Sequence, residues 1–184
     1  MLIQFGKKEH GAAFKLEMLT ASMPLEGFSC SIEEYNEYLL KDAFRSQNDH
    51  IALTWLLREQ ATGAIVAYLS LIADAVKLSA SEKELHRLNY PFKTIPAIKI
   101  AKIAVSKVFS EKYKGIGSFM IRAATRKALG CNNDYCAARF LTVDADVEHD
   151  KGVIAFYEKN GFAPNAELFN KNRKTISMRK DLYS

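Results

Sequence analysis

The chain has 184 residues, 48% apolar and 26% charged, which suffices for one domain with a packed core and is too short for two of ordinary size. The formal charge of +5 admits an anionic partner. No run of about 18 apolar residues occurs, and the start MLIQFGKKEHGAAFKLE lacks the basic, apolar, small-residue order of a signal peptide, so a cytoplasmic protein without a membrane partner is expected.

Three cysteines, Cys30, Cys131 and Cys136, are odd in number and have no zinc spacing, which predicts reduced structural thiols and no metal site. Four prolines and nine glycines are spread thinly, without linker, repeat or low-complexity tract, so a single domain over 1–184 is expected.

In chain order, the first clear element follows Ser31. S-I-E-E has capping-box form, pairing the Ser31 hydroxyl with the Glu34 carboxylate, and Ile32, Tyr35, Leu39, Ala43 and Phe44 recur at helical spacing behind it. The spacing predicts an amphipathic helix over roughly 32–46. Two strand-like runs follow, 51–59 and 64–78, separated by Gln60-Ala61-Thr62-Gly63, which reads as a hairpin. Segment 80–95 is polar and ends in two X-Pro steps, so a loop or insertion, helical at most in part, is expected. The run 97–105 reads as a strand, and after a basic loop the run 118–129 reads as a helix ended by Gly130. A strand over 138–145, a helix from 150 to 160 stopped by Gly161, and a last strand over 175–180 complete the pattern. Early strands followed by strand–helix–strand–helix–strand predict a mixed α/β domain with helices on both faces of one sheet.

The sharpest local signal lies between Val105 and Ser118, where a strand leads into a helix start through Gly115 and Gly117. A helix start carries orphan N–H groups and the positive end of the dipole, and glycines let a ligand approach the backbone, so a phosphorylated ligand is implied. No G-K-[ST] follows and the third glycine of G-x-G-x-x-G is missing, which argues against a nucleoside triphosphate and a dinucleotide. A second motif is Ala155-Phe156-Tyr157-Glu158-Lys159-Asn160-Gly161-Phe162, and Met178-Arg179-Lys180-Asp181-Leu182 ends the chain's last strand.

Together these residues resemble the GNAT superfamily of acyl-CoA-dependent N-acetyltransferases over about residues 28–182. K-Y-K-G-I-G stands where that family has Q/R-x-x-G-x-G/A, and Ala155 to Phe162 looks like its A-x-x-F/L-Y-x-x-x-G-F element. The resemblance implies an α/β fold with a mixed, mostly antiparallel central sheet and helices on both faces, acetyl-CoA as acetyl donor, and no covalent nucleophile. It implies that the backbone of Ile103, Ala104 and Val105 holds the pantetheine arm and that Lys112, Tyr113, Lys114, Gly115, Ile116, Gly117 and Ser118 wrap the pyrophosphate. It also makes Tyr157 the general acid that protonates the departing CoA sulfur. Lys112 departs from the usual Gln or Arg: it keeps a charge and loses the planar fork of donors. The other reading of Tyr157 is a ring packed between helix and sheet.

Acyl transfer from a thioester to an amine needs a neutral amine, a stabilised oxyanion and a proton for the thiolate. The glutamate that many family members carry on the fourth strand has no counterpart, since this strand carries Lys99 and Lys102. Asp144, Glu148, His149 and Glu158 are acids or bases near the implied site, and a water-mediated base or a low-pKa amine fits the absence better. The asparagine often found six residues before the tyrosine is Lys151 here. His10, His50 and His86 lack metal-ligand spacing and read as surface residues; a cysteine nucleophile with a histidine base has no surrounding signature.

Phe28-Ser29-Cys30 with Ile32 to Leu39 resembles the opening of a GNAT branch that includes the TacT-like toxins, which acetylate the amino group of aminoacyl-tRNA, and Lys102-Ile103-Ala104-Val105 resembles that branch's fourth-strand end. The readings carried forward are an N-acetyltransferase acting on an unspecified primary amine (small, peptide or protein), a TacT-like enzyme acting on aminoacyl-tRNA, and a non-catalytic acyl-CoA-binding module. A homodimer is admitted. Between Lys99 and Lys127 there are eight basic residues against the single acid Glu111, a net of +7, so the rest of the chain carries −2. The excess surrounds the implied phosphate loop and makes acetyl-CoA the first partner, with tRNA second.

Overall fold

A computed structural model describes residues 3–4, 13–165 and 174–184. They form two compact units, one from residues up to Ile72 together with Ala101–Ala123, the other from Ala73–Ile100 and Ala124–Ser184.

In the first unit the strand order is β1-β2-β3-β4-β5, from β1 (Ile3–Gln4), β2 (Ala13–Met18), β3 (Leu53–Glu59), the first part of β4 (Ile65–Lys77) and the last part of β5 (Thr94–Val105). The expected hairpin is β3–β4: it pairs antiparallel from Leu53↔Leu71 to Arg58↔Ile65, with a register shift after Leu57. Gly63 sits at φ +73°, the left-handed conformation that the short turn needs, and Arg58 Nε donates to its carbonyl at 2.9 Å. The core gathers Leu19, Phe28, Leu39, Ala43, Leu56, Ile65, Tyr68 and Ala104.

The expected helix over 32–46 is a helical run over 33–48 in three pieces: α1 (Glu33–Glu37), a π-helical turn (Tyr38–Asp42) and α2 (Ala43–Asn48). Of its apolar stripe, Leu39 and Ala43 are fully buried. The Ser31 capping box does not form. Ile32 is the N-cap, without a side-chain cap. Asn36 binds the entering chain instead, its Oδ1 accepting from Cys30 N at 2.8 Å and its Nδ2 donating to Glu33 Oε2 at 3.0 Å. A carboxamide carries its acceptor and its two N–H donors on separate atoms, so Asn36 holds the entering chain and the first turn at once. Asn36→Ala is therefore expected to cost about 1–2 kcal/mol in urea unfolding and Ser31→Ala less than about 0.5 kcal/mol; equal losses would contradict this assignment.

In the second unit the order is β4-β5-β6-β8-β7, with β6 (Phe140–Asp146), β7 (Ala163–Pro164) and β8 (Thr175–Asp181) joining the remaining parts of β4 and β5. β5 and β6 are parallel over Ala97–Ile100 and Phe140–Val143, while β6–β8 and β7–β8 are antiparallel. The sheet is thus mixed and mostly antiparallel, as expected. Strand β5 begins at Thr94, three residues earlier than its pattern predicted.

Segment 80–95 is more ordered than a loop. It opens with α3 (Ala80–Leu85), which carries the capping box that Ser31 lacks, with Ser79 and Glu82 as partners. Glu82 also pairs with Arg179 at 2.7 Å, both side chains being buried. Beyond α3, His86 Nδ1 and Arg139 both reach Asp181 Oδ2, at 2.8 and 2.7 Å. Leu88 and Ile95 complete a second core with Val76, Leu78, Ala97 and Phe140.

Burial pushes the Asp181 carboxyl up, but the Arg139 guanidinium, the Tyr183 amide and His86 outweigh it and hold the group below the usual carboxylate range. A depressed folded-state value means stabilisation that is present above the unfolded value, near about 4, and is lost as pH falls through the folded one. Urea midpoints for Asp181→Asn should lie below the parent's at pH 7 and converge with them as pH drops under about 4. A gap independent of pH would contradict that role.

Two further expectations are corrected. The basic loop contains a helix, α4 (Lys107–Lys112), and the helix expected over 118–129 is α5 (Ile116–Asp134), which runs straight through Gly130. Gly130 lacks the positive φ of a helix stop, and an interior glycine costs only about 1 kcal/mol against alanine. The chain turns later, where Cys136 N bonds Cys131 O at 3.0 Å and the Asn132 side chain bonds both N and O of Ala138. The last helix, α6 (Val153–Lys159), stops as expected before Gly161, whose φ is +86°.

Candidate active site

The residues assigned to acetyl-CoA by resemblance fall in the first unit. Ile103 and Val105 on β5 are half-buried and Ala104 is buried, and Ser106 N at the strand's end bonds Val66 O at 2.8 Å. The ladder of β5 with β6 ends at Ile100 and Val143, whereas β5 itself continues to Val105.

Lys112 ends α4, and Tyr113 follows as its extended C-cap. The Tyr113 ring is buried, edge-on to Phe14 at 5.4 Å and stacked on Phe109 at 6.3 Å, so it anchors the loop rather than facing a ligand. Lys112 Nζ lies 5.0 Å from the centre of that ring, and its hydrogen bond with the Tyr113 hydroxyl raises the ammonium above its ordinary value, so its charge persists. Lys114 and Gly115 are exposed. Gly115 has φ +88° and nothing within 4 Å of where a Cβ would stand. The first bond into α5 is Phe119 N to Gly115 O at 2.9 Å, which leaves the amides of Ile116, Gly117 and Ser118 as the helix's orphan donors. A left-handed glycine in open space before three such donors fits a diphosphate.

Tyr157 belongs to the second unit, on α6. It is buried, with its ring 5.2 Å from Phe156 and 5.3 Å from Phe162, both edge-on. These two ring contacts hold the side chain in place.

The side chains considered as bases are engaged elsewhere or exposed. Asp144 pairs with Lys99 at 2.5 Å, Glu148 with Lys174 at 2.9 Å, and His149 with Asp146 at 2.8 Å, while Glu158 and Lys151 are exposed. His50 is exposed, His86 is tied to Asp181 rather than free at the surface, and His10 lies outside the described residues. Cys30 donates to Ile32 O, and burial pushes its thiol up, the reverse of nucleophile activation. Cys131 and Cys136 meet each other, Sγ to Sγ 3.2 Å. Among the described residues no group of three or more His, Cys, Asp or Glu could hold a metal ion, and no helix is long and apolar enough to cross a membrane.

One carboxylate escaped the sequence reading. Asp74, late in the apolar run of β4, accepts the Thr142 hydroxyl of β6 through its Oδ2. It lines a pocket of about 340 Å³ with Lys99, Thr142, Asp144, Asn165 and Ser177. The only signal in the sequence was an acid interrupting an otherwise apolar strand.

No family model and no curated protein matches the chain. Solved structures do. A tyrosine-to-phenylalanine variant of KacT superposes with TM-score 0.73 at 20% identity, covering 90% of this chain and 94% of that one. AtaT complexed with acetyl-methionyl-tRNAfMet gives 0.71 at 20%, covering 89% and 93%, and AtaTR bound with AcCoA gives 0.70 at 21%, covering 90% and 93%.

The chain has the GNAT fold. At these identities the likeness is one of fold. Of the strand pairings described above, β5–β6 is parallel, and β1–β2, β2–β3, β3–β4, β6–β8 and β7–β8 are antiparallel.

Proposed function

We propose that the protein is an acetyl-CoA-dependent N-acetyltransferase that passes the acetyl group directly from the thioester to a primary amine. The observation that carries this reading is the stretch from β5 into α5, where the strand outlasts its β6 ladder and leads to a left-handed glycine before three orphan helix amides. The amides of Ile103 to Val105 hydrogen-bond the pantetheine arm in the manner of an added strand, and one of them polarises the thioester carbonyl. Lys112 to Ser118 hold the pyrophosphate, chiefly through backbone N–H groups, with Lys112 and Lys114 adding charge. The amine nitrogen attacks the carbonyl carbon, the C–S bond breaks, and Tyr157 delivers its hydroxyl proton to the departing thiolate.

A second reading names the acceptor as the α-amine of an aminoacyl-tRNA. Two observations favour it: the likeness to AtaT, whose structure is described as complexed with acetyl-methionyl-tRNAfMet, and the net +7 between Lys99 and Lys127. An aminoacyl ester also lowers the pKa of its α-amine, so no strong base is required. Incubation with labelled acetyl-CoA, in separate arms with total aminoacyl-tRNA and with a panel of small and peptide amines, tests both readings. Label in RNA supports the tRNA acceptor, and label only in a small or peptide amine removes it. Acetyl-CoA binding without transfer to any acceptor would leave a non-catalytic acyl-CoA-binding module and overturn the enzyme.

A further inference from the structure

Cys131 and Cys136 both belong to the second unit and stand where α5 runs out. Helix and turn bring them together without help from the sulfurs. The amides of Tyr135 and Cys136 both bond Cys131 O, at 2.9 and 3.0 Å, so the chain doubles back over the cysteine it has just left. Asn132 pins the far side of the turn. Its Oδ1 accepts from Ala138 N at 2.6 Å, and its Nδ2 donates to Ala138 O at 2.7 Å and to the Tyr183 hydroxyl at 2.5 Å.

Between these fixed points the two Sγ atoms stand 3.2 Å apart, and about 1 Å of approach brings them to bonding distance. Cys136 is exposed and Cys131 half-buried, so an accessible thiol has a second thiol held beside it. Cys30 differs on both counts: it lies in the first unit and donates to Ile32 O.

We propose that Cys131 and Cys136 are a dithiol modification site, which a low-molecular-weight disulfide such as glutathione disulfide oxidises to an internal disulfide that staples the end of α5 to the turn leading into β6. The inference is independent of the acetyltransferase reading. Cys136, as thiolate, attacks one sulfur of glutathione disulfide; a bond from Cys136 to glutathione forms, the reagent's S–S bond breaks, and one glutathione thiolate leaves. Cys131 then gives its proton to solvent and attacks Cys136 Sγ, and the bond between the two cysteines forms as the second glutathione leaves. Two protein thiols and one glutathione disulfide thus become one protein disulfide and two glutathiones, with two electrons passed to the reagent. The hydrogen bond between the sulfurs pushes the Cys136 thiol up, so it keeps its proton at neutral pH. The advantage of the pair lies in the second step, where the attacking sulfur is already in place.

The full-length protein is equilibrated with reduced and oxidised glutathione in varied ratio, alkylated with iodoacetamide under denaturing conditions and digested with trypsin. No Lys or Arg separates the two cysteines, so both fall on the peptide from Ala128 to Arg139. The expected product is that peptide, unalkylated and lighter by two hydrogens, with Cys30 alkylated. Cys131→Ser should stop at a glutathione adduct on Cys136, and Cys136→Ser should form no internal disulfide. Amide exchange at Tyr135 and Cys136 should be about tenfold slower in the oxidised parent than in the reduced one. Glutathione adducts on the parent's Cys136 without the internal disulfide, or a bridge that uses Cys30, would overturn the proposal. Exchange unaltered by oxidation would overturn the staple.

Discussion

Tyr157→Phe is expected to lower acetyl transfer by about a hundredfold or more while leaving the fold and acetyl-CoA affinity intact. Only the hydroxyl is removed; the ring contacts with Phe156 and Phe162 are retained, so the side chain keeps its place on α6. The loss should appear in kcat rather than in the KM for acetyl-CoA, because a proton donor to the departing sulfur acts as the C–S bond breaks and not in the ground state. Turnover and the thermal midpoint are measured together on the same preparations. Full activity in the variant would remove Tyr157 from the chemistry and leave it a packing residue.

The second large effect is expected at the glycine loop. Gly115→Val should weaken acetyl-CoA binding by about tenfold to a hundredfold. The site around its Cβ is open, so the penalty comes from the backbone: at φ +88° a β-branched residue is strained by about 1–3 kcal/mol, and the loop relaxes out of the shape that presents the α5 amides. Gly130→Ala is the matched control. Gly130 lies inside α5 with nothing near its Cβ position, so alanine there should stabilise the protein by about 0.5–1 kcal/mol and leave acetyl-CoA affinity untouched. Equal effects of the two substitutions on binding would refute the loop assignment.

Most of the fold was legible because it is written in short-range pattern. The β3–β4 hairpin announces itself by two apolar runs around Gly63, β6 by a further apolar run, and the end of α6 by Gly161. What escaped depends on competition between local signals or on distant partners. Ser31 has the better-known capping form, yet Asn36 wins because its carboxamide bonds Cys30 and Glu33 at once. Gly130 resembled a stop because its cost was weighed without the packing that carries α5 through it, with Ala124 and Ala128 fully buried. Segment 80–95 looked like a loop because the partners of its fixed points, Arg179 for Glu82 and Asp181 for His86, lie 97 and 95 residues away along the chain.

The candidate site divides in the same way. The residues proposed for acetyl-CoA, and Tyr157, follow from contiguous motifs. Asp74 does not: it meets Thr142 only because β5 brings β4 and β6 to either side of itself.

Amide hydrogen exchange of the full-length protein, with and without acetyl-CoA, tests the central claim most directly. The account predicts added protection at Ile103 to Val105 and at Gly115 to Ser118 on binding. Binding without protection at either segment would contradict it.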